Sequence, residues 1–94
     1  MDKILNNIGL CNKARGLVSG LEIVVEEMRK GNVCYIFLAN DASENTIKMI
    51  TDKAKFYNVE ISMKYSSYEL SQTIGKINRM VIGVTNKSFL KILK

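Results

Sequence analysis

The sequence predicts an α/β fold, specifically a three-layer α/β/α sandwich with a central four-stranded mixed sheet. Strand-like apolar runs alternate along the chain with segments whose apolar residues recur at helical spacing. The 94 residues contain no proline, repeat or linker-like stretch, which fits a single domain over residues 1–94. Such alternation favours a sheet covered by helices on both faces.

The first part of the chain predicts two helices around a short strand. Apolar side chains recur at helical spacing over residues 2–14, and Gly16 suits a left-handed cap after that helix. Residues 17–19 predict a short extended segment. A second helix begins at Gly20 and ends at residues 31–32, where Gly and Asn favour termination.

The rest of the chain predicts three strands, each followed by a helix. The strands are residues 33–39, an apolar run typical of burial on both faces, residues 59–63, which alternate, and residues 80–85. The helices are capped by Ser43, by residues 66–67 and by Asn86, and the first two of them end at Asn58 and Gly75. Tyr35 and Phe37 lie on the apolar central strand and are predicted core residues.

The turn at Ser19 and Gly20 is the first candidate site. Neither residue has the bulk to cover the helix start, so the N–H groups of Leu21, Glu22 and Ile23 are expected to face a partner. A helix start of this kind favours anions such as phosphate. The alternative interpretation is an ordinary helix cap.

Positive charge is concentrated at both ends of the chain. The net charge is +5, and no acidic residue follows Glu69. The cations concerned are Lys3, Lys13 and Arg15 near the N-terminus and Lys76, Arg79, Lys87, Lys91 and Lys94 near the C-terminus. If the two ends meet in the fold, they form one basic patch, and the balance favours an acidic partner, nucleic acid above all.

Two further turns are candidates because binding sites in open α/β sheets lie where loops leave strand ends. One is the turn at residues 40–42, where Asp41 is expected to cap the next helix. The other is the loop at residues 75–79. That loop carries Lys76, Ile77 and Arg79.

Lys13 and Arg15 are expected to flank the turn at Ser19, either as phosphate ligands or as solvated charges. Cys11 and Cys34 have apolar neighbours and no metal-type companions, which predicts buried free thiols rather than zinc or a disulfide. The chain has no histidine and no clustered acid pair, so we expect no catalytic residue, metal or cofactor. Without a signal-like or membrane-length apolar run, the expected location is cytoplasmic, with no membrane partner.

The order and spacing of these motifs resemble the kink-turn RNA-binding ribosomal proteins of the L7Ae and L30e type, in particular their bacterial YlxQ-like branch. The segments that carry the resemblance are residues 9–20, 29–31, 38–46, 53–59, 70–76 and 80–87. The resemblance implies RNA with a sharp kink flanked by sheared G·A pairs. It also implies that the helix starting at Gly20 enters the major groove and that the loop at residues 75–79, including Asn78, packs against a looped-out nucleotide. Because the family uses this loop, Lys76 and Arg79 are expected to contact RNA, and Ile77 either covers an unstacked base or anchors the loop.

The chain departs from the family pattern on the helix after Gly20. Similar proteins usually carry a small residue, Asn and Glu where Leu21, Glu22 and Ile23 stand, and a lysine where Glu26 stands. Glu22 keeps the capacity to accept hydrogen bonds from a guanine edge, whereas Ile23 makes no polar base contact and Glu26 brings negative charge near phosphates.

The sequence therefore predicts a non-enzymatic, monomeric protein that binds kinked structured RNA, ribosomal or within a ribonucleoprotein. The alternative is a protein–protein adaptor on the same fold, in which Leu21, Ile23 and Ile77 form an apolar contact patch.

Overall fold

The computed structural model describes residues 2–94, which form five α-helices and four strands. The helices are α1 Lys3–Lys13, α2 Leu21–Arg29, α3 Glu44–Tyr57, α4 Ser67–Thr73 and α5 Leu90–Leu93. The strands are β1 Leu17–Ser19, β2 Tyr35–Leu38, β3 Glu60–Ser62 and β4 Val81–Val84. Every predicted helix and strand is present, with strands up to three residues shorter than their apolar runs.

The four strands form one mixed sheet in the order β1-β4-β2-β3, which confirms the predicted fold class. Strand β4 is antiparallel to both of its neighbours, and β2 and β3 are parallel. Strands β1, β2 and β3 therefore end where β4 begins. We call the end of the sheet that carries the turn after β1 the Gly20 end, and the opposite end of the sheet the Gly16 end.

Two apolar clusters, one on each face of the sheet, make the sandwich. Tyr35 and Phe37 point towards α1, α4 and α5, whereas Ile36 and Leu38 point towards α2 and α3. All four residues of β2 are buried, as its continuous apolar run predicts. Burying one side chain of this size contributes about 1.5–3 kcal/mol, so both helical layers depend on β2.

Side chains cap the starts of the helices as the sequence predicts. The Ser43 hydroxyl accepts from the Thr46 N–H, and Asn86 caps a 3-10 turn, Lys87–Phe89, that continues into α5. Ser66 and Glu69 form a reciprocal capping box at α4. Asn58 ends α3 in the left-handed conformation.

The predictions for the conformation of Gly16 and for the burial of Cys34 are wrong. Arg15, not Gly16, adopts the left-handed conformation after α1, with φ 58°. Gly16 is required for space instead, because a Cβ there would lie 2.8 Å from the Cys11 Sγ and 3.3 Å from the Cys11 carbonyl oxygen. Both cysteines are free, as predicted, but Cys34 is only half-buried.

Asp41 does not cap α3, the next helix. Its carboxylate accepts from the Ser67 N–H at 2.8 Å and from the Ser67 hydroxyl at 2.9 Å, so it holds the start of α4. Ser43 already caps α3, so the Asp41 side chain is available to α4. Because Asp41 follows β2 and Ser67 follows β3, this contact links the ends of the two strands.

Gly16→Ala is expected to lower the free energy of unfolding by about 1–3 kcal/mol, because the added methyl group overlaps the buried Cys11. Urea denaturation measures the change. The control is Gly9→Ala within α1, where the nearest atom to the new Cβ is the Thr73 carbonyl oxygen at 3.5 Å. Helix propensity favours that variant by up to about 1 kcal/mol, and equal stability of the two variants would contradict the steric explanation.

Candidate nucleic-acid interface

The start of α2 has no side-chain cap. Gly20 is its N-cap residue, with φ 99° and ψ 142°, and no side chain accepts from the first-turn amides. The Gly20 N–H donates to the Val81 carbonyl at 3.0 Å, which fixes the turn to the first residue of β4. Positive φ excludes most other residues, so the sequence keeps this helix start bare by backbone conformation as well as by composition.

The loop at residues 75–79, hereafter the 75–79 loop, lies against the start of α2. A Cβ built on Gly20 would be 3.4 Å from the Arg79 Nη1, which places the guanidinium directly beside the helix start. The antiparallel register explains this proximity, because Ser19 is opposite Ile82 and the loop leads directly into β4. Two of the elements that the sequence nominates, the turn at Gly20 and the 75–79 loop, therefore converge at the Gly20 end.

Ser71 of α4 anchors the loop from below. Its buried hydroxyl accepts from the Arg79 N–H at 2.8 Å and donates to the Arg79 carbonyl at 3.3 Å. One hydroxyl thus satisfies both backbone groups of Arg79 and fixes where its side chain starts. Among the described residues, Ser71 is the one buried residue that is not part of the apolar core. No motif in the sequence distinguishes it from the other serines.

The Arg79 side chain has unmet hydrogen-bonding and electrostatic capacity. Its Nε is buried without a hydrogen-bond partner, and no carboxylate among residues 2–94 forms a salt bridge with its guanidinium. It lies beside the positive end of the α2 dipole, where a cation is unfavourable and an anion is stabilised by about 0.3–1 kcal/mol. An anion bound between the two would satisfy both.

The tip of the 75–79 loop is exposed. Lys76, Ile77 and Asn78 all face solvent, and 80% of Ile77 is accessible, which excludes the loop-anchor interpretation. Asn78 adopts a left-handed conformation, with φ 55°, that turns the chain towards Arg79. The tip presents one cation, one amide and one apolar side chain together.

A cleft of about 320 Å³ separates this tip from α4. Tyr68 lines the cleft with Lys76 and Ile77, and 70% of the Tyr68 side chain is exposed. Tyr68 is not among the candidates predicted from the sequence. The helical pattern could have found it, because Leu70 and Ile74 point inward and leave Tyr68 on the outer face of α4.

The exposed face of α2 carries the residues that depart from the family pattern. Leu21 is half-buried and packs on the core, whereas Glu22 and Ile23 are exposed. Glu26 forms an ion pair with Arg29 at 3.2 Å, so the guanidinium of Arg29 partly neutralises its carboxylate. Because both side chains are exposed, this pair adds little stability, but it offsets negative charge on the face next to the Gly20 turn.

Lys13 and Arg15 are placed differently from one another. Lys13 lines the groove between α1 and α4 together with Gly75, where the 75–79 loop begins. Arg15 lies at the Gly16 end, because the adjacent Gly16 carbonyl accepts from the Thr85 and Asn86 N–H groups at 2.8 and 3.1 Å. The expectation that Arg15 flanks the turn at Ser19 therefore fails, since β1 separates them.

Comparison with known proteins identifies the family. The model of the Ribosomal protein L7Ae/L30e/S12e/Gadd45 family matches residues 2–94. The chain belongs to this family. Two curated relatives are both named "RNA-binding protein YlxQ". The Bacillus subtilis (strain 168) protein is 40% identical over 82 residues, covering 87% of this chain and 82% of its own length. The Enterococcus faecium protein is 39% identical over 92 residues, covering 98% and 88%.

Solved structures share the fold of this chain. A Bacillus halodurans C protein described as of unknown function superposes with a TM-score of 0.94 at 34% identity, covering 99% of this chain and 94% of its own. The Giardia lamblia 15.5kD RNA binding protein superposes with a TM-score of 0.84 at 12% identity, covering 97% and 78%, and shows that the fold is shared. None of the helices within residues 2–94 has the length and apolarity needed to span a bilayer.

Asp41→Asn is expected to reduce stability at neutral pH and to lose this effect in acid. Hydrogen bonds from the Ser67 N–H and then from the Ser67 hydroxyl hold the pKa of the Asp41 carboxyl below its ordinary value of 3.8. A carboxyl with a lowered pKa stabilises the fold above its unfolded pKa, and that contribution is lost as pH falls through the folded pKa.

The measurement is the free energy of unfolding of the native and Asp41→Asn chains from pH 7 to pH 2.5. Their difference should persist down to about pH 4 and shrink below it. Asp52→Asn is the control, because Asp52 is exposed on α3 and has no salt bridge within residues 2–94. A constant difference for Asp41→Asn across the whole range would contradict the role assigned to the charged carboxylate.

Proposed function

We propose that this chain binds structured RNA containing a sharp kink, through the bare start of α2 and the 75–79 loop, and that it catalyses no reaction. The binding residues of this proposal are Ser19, Gly20, Leu21, Glu22, Ile23, Lys76, Ile77, Asn78 and Arg79. Its expected setting is the cytoplasm, where it acts as a monomer on ribosomal or other ribonucleoprotein RNA. Membership of the L7Ae/L30e family and the names of the curated relatives support RNA as the partner.

The observation that carries the proposal is the position of the Arg79 guanidinium beside the uncapped helix start. Both groups attract anions, a Cβ on Gly20 would lie only 3.4 Å from the Arg79 Nη1, and no carboxylate within residues 2–94 forms a salt bridge with the guanidinium. A phosphate between them accepts from the backbone amides and the guanidinium together. Such contacts fix the orientation of RNA without reading its sequence.

The exposed loop tip supports recognition of an unstacked base. Bases that leave a helix stack on aromatic or planar side chains, which contribute about 1–3 kcal/mol per base. Ile77 and Tyr68 provide apolar and aromatic surface on two sides of the cleft, and Lys76 supplies charge at its rim. A kink exposes such a base, whereas a regular A-form duplex does not.

The protein–protein adaptor is a second candidate, favoured by the exposure of Ile23, which is 53% accessible. Leu21 is half-buried against the core beneath α2, however, so the apolar patch that the adaptor needs is reduced to Ile23 and Ile77. Two separated apolar side chains are common on ordinary protein surfaces. The unpaired guanidinium at the helix start favours RNA over an apolar partner.

Titration of a kinked RNA duplex and of a straight duplex of equal length and composition distinguishes the two functions. RNA recognition at the Gly20 end predicts tighter binding to the kinked duplex, because only that RNA offers an open groove and an unstacked base. An adaptor predicts no difference. Equal affinity for both RNAs at about 0.1 M salt, where phosphate contacts are still strong, would overturn the proposal.

The double variant Lys76→Ala and Arg79→Ala is expected to weaken binding to the kinked duplex and to flatten its salt dependence. For every phosphate that the protein no longer neutralises, the slope of log affinity against log salt falls by about 0.7–0.9. The matched control is Lys53→Ala with Lys55→Ala in the last turns of α3, which removes the same charge from the Gly16 end of the other helical layer. An unchanged slope in the first double variant would rule out a phosphate role for Lys76 and Arg79.

A further inference from the structure

Several cations singled out by the sequence are not used by the site at the Gly20 end. They are Lys13 and Arg15, at the end of α1, and Lys87 and Lys91, which lie around α5. All four are exposed, and none forms a salt bridge with a carboxylate of residues 2–94. Their chain positions are far apart, so any common surface must be made by the fold.

The fold brings together the segments that carry these cations. The Gly16 carbonyl accepts from the Thr85 and Asn86 N–H groups, which places the backbone that follows Arg15 against the segment that leads into Lys87. The Asn7 side chain donates to the Ile92 carbonyl at 2.8 Å, which fixes α1 against α5. The end of α1 and the segment around α5, both basic, therefore lie in the same helical layer of the sandwich.

The same surface continues to the 75–79 loop. Lys13 lines the groove of about 740 Å³ between α1 and α4, and Gly75, the first residue of the loop, lines it too. We call Lys13, Arg15, Lys87 and Lys91 the basic stripe, which begins in the groove that Gly75, the residue before Lys76, also lines, and follows the end of α1 to α5. Asn6 and Gln72 supply further hydrogen-bonding groups in the groove, and Glu69 is its one carboxylate.

Two acidic groups near the stripe pair with lysines outside it, and Glu69 accepts from the Ser66 N–H at 3.0 Å. Glu60 forms an ion pair with Lys94 at 2.9 Å. Asp2 accepts from the Tyr65 hydroxyl at 2.9 Å and lies 3.8 Å from the Lys64 ammonium. Burial raises the pKa of the Cys34 thiol while the ammonium groups of Lys87 and Lys94 oppose that rise, which places both lysines near the start of β2. The stripe therefore keeps its positive charge.

We propose that the basic stripe is a second RNA-contact surface, which binds phosphates of a duplex segment that continues beyond the kinked element. The inference rests on the proposed function, since it extends the same RNA past the 75–79 loop. Flexible lysines suit a phosphate backbone whose exact position varies, and contacts of this kind are independent of sequence. One molecule then contacts RNA at the helix start of α2 and again across α1 and α5.

The test compares two kinked RNAs, one with stems just long enough to form the kink and one with both stems extended by a helical turn. The variant is Lys87→Gln with Lys91→Gln, and the matched control is Lys53→Gln with Lys55→Gln on α3. The stripe predicts that the variant binds the extended RNA roughly five- to tenfold more weakly than the native chain at 0.1 M salt, with a slope of log affinity against log salt lower by about 0.7–0.9 per phosphate. Binding to the short RNA should be unchanged for both double variants.

Equal affinity of the native and variant chains for the extended RNA would overturn the stripe and leave the proposed function intact. The same loss for the short RNA, or for the α3 control, would also overturn it, because the effect would then follow total charge. If the native chain binds the short RNA no better than a straight duplex, the proposed function fails instead.

In that case the native chain and the Lys87→Gln with Lys91→Gln variant are compared on a straight duplex of the extended length. Weaker binding by the variant supports the stripe as an RNA-contact surface, and equal binding overturns it. Thermal unfolding of each variant checks that these substitutions leave the fold intact, which matters most for the half-buried Lys53.

Discussion

The antiparallel pairing of β1 with β4 is the constraint on which the candidate site depends. Because β4 alone runs against the other strands, its first residue lies next to the last residue of β1, and Gly20 donates to Val81. The loop before β4 must then meet the helix after β1. In a fully parallel sheet β4 would start at the Gly16 end. Arg79 would then be separated from the start of α2 by the length of a strand.

The polar interactions at the Gly20 end serve to hold this junction. Asp41 ties the end of β2 to α4, and Ser71 of α4 ties Arg79 to the same helix. The loop is thus fixed at its base through two buried or half-buried hydroxyl groups while its tip stays exposed. Preorganised backbone with free side chains is the arrangement that lowers the entropic cost of binding without closing the surface to a large ligand.

The sequence predicts the fold well and the details of the site less well, for physical reasons. Apolar periodicity sets which faces are buried, so β2 and the inward faces of α1 and α3 follow directly from it. The direction of β4 does not follow from periodicity, because an apolar run is buried in the same way in a parallel and in an antiparallel strand. Ser71 and Asp41 act through partners eight and 26 residues away, and only the folded chain brings these together. The prediction for Gly16 fails because left-handed backbone usually favours glycine, whereas here the space beside Cys11 excludes every larger residue at position 16.

In the proposed RNA complex, affinity and kink preference rest on different residues of this surface. Arg79, Lys76 and the amides at Gly20 attract any phosphate, and their contribution falls with salt. Discrimination of a kink requires groups that meet a base or a widened groove, which are Glu22 and Ile23 on α2 and Ile77 with Tyr68 at the cleft. Ile23 removes a polar base contact, and Arg29 offsets the charge of Glu26 without replacing it. In the proposed complex these departures reduce the polar base contacts available from α2, so the proposal assigns more of the kink preference to the loop tip than to the groove.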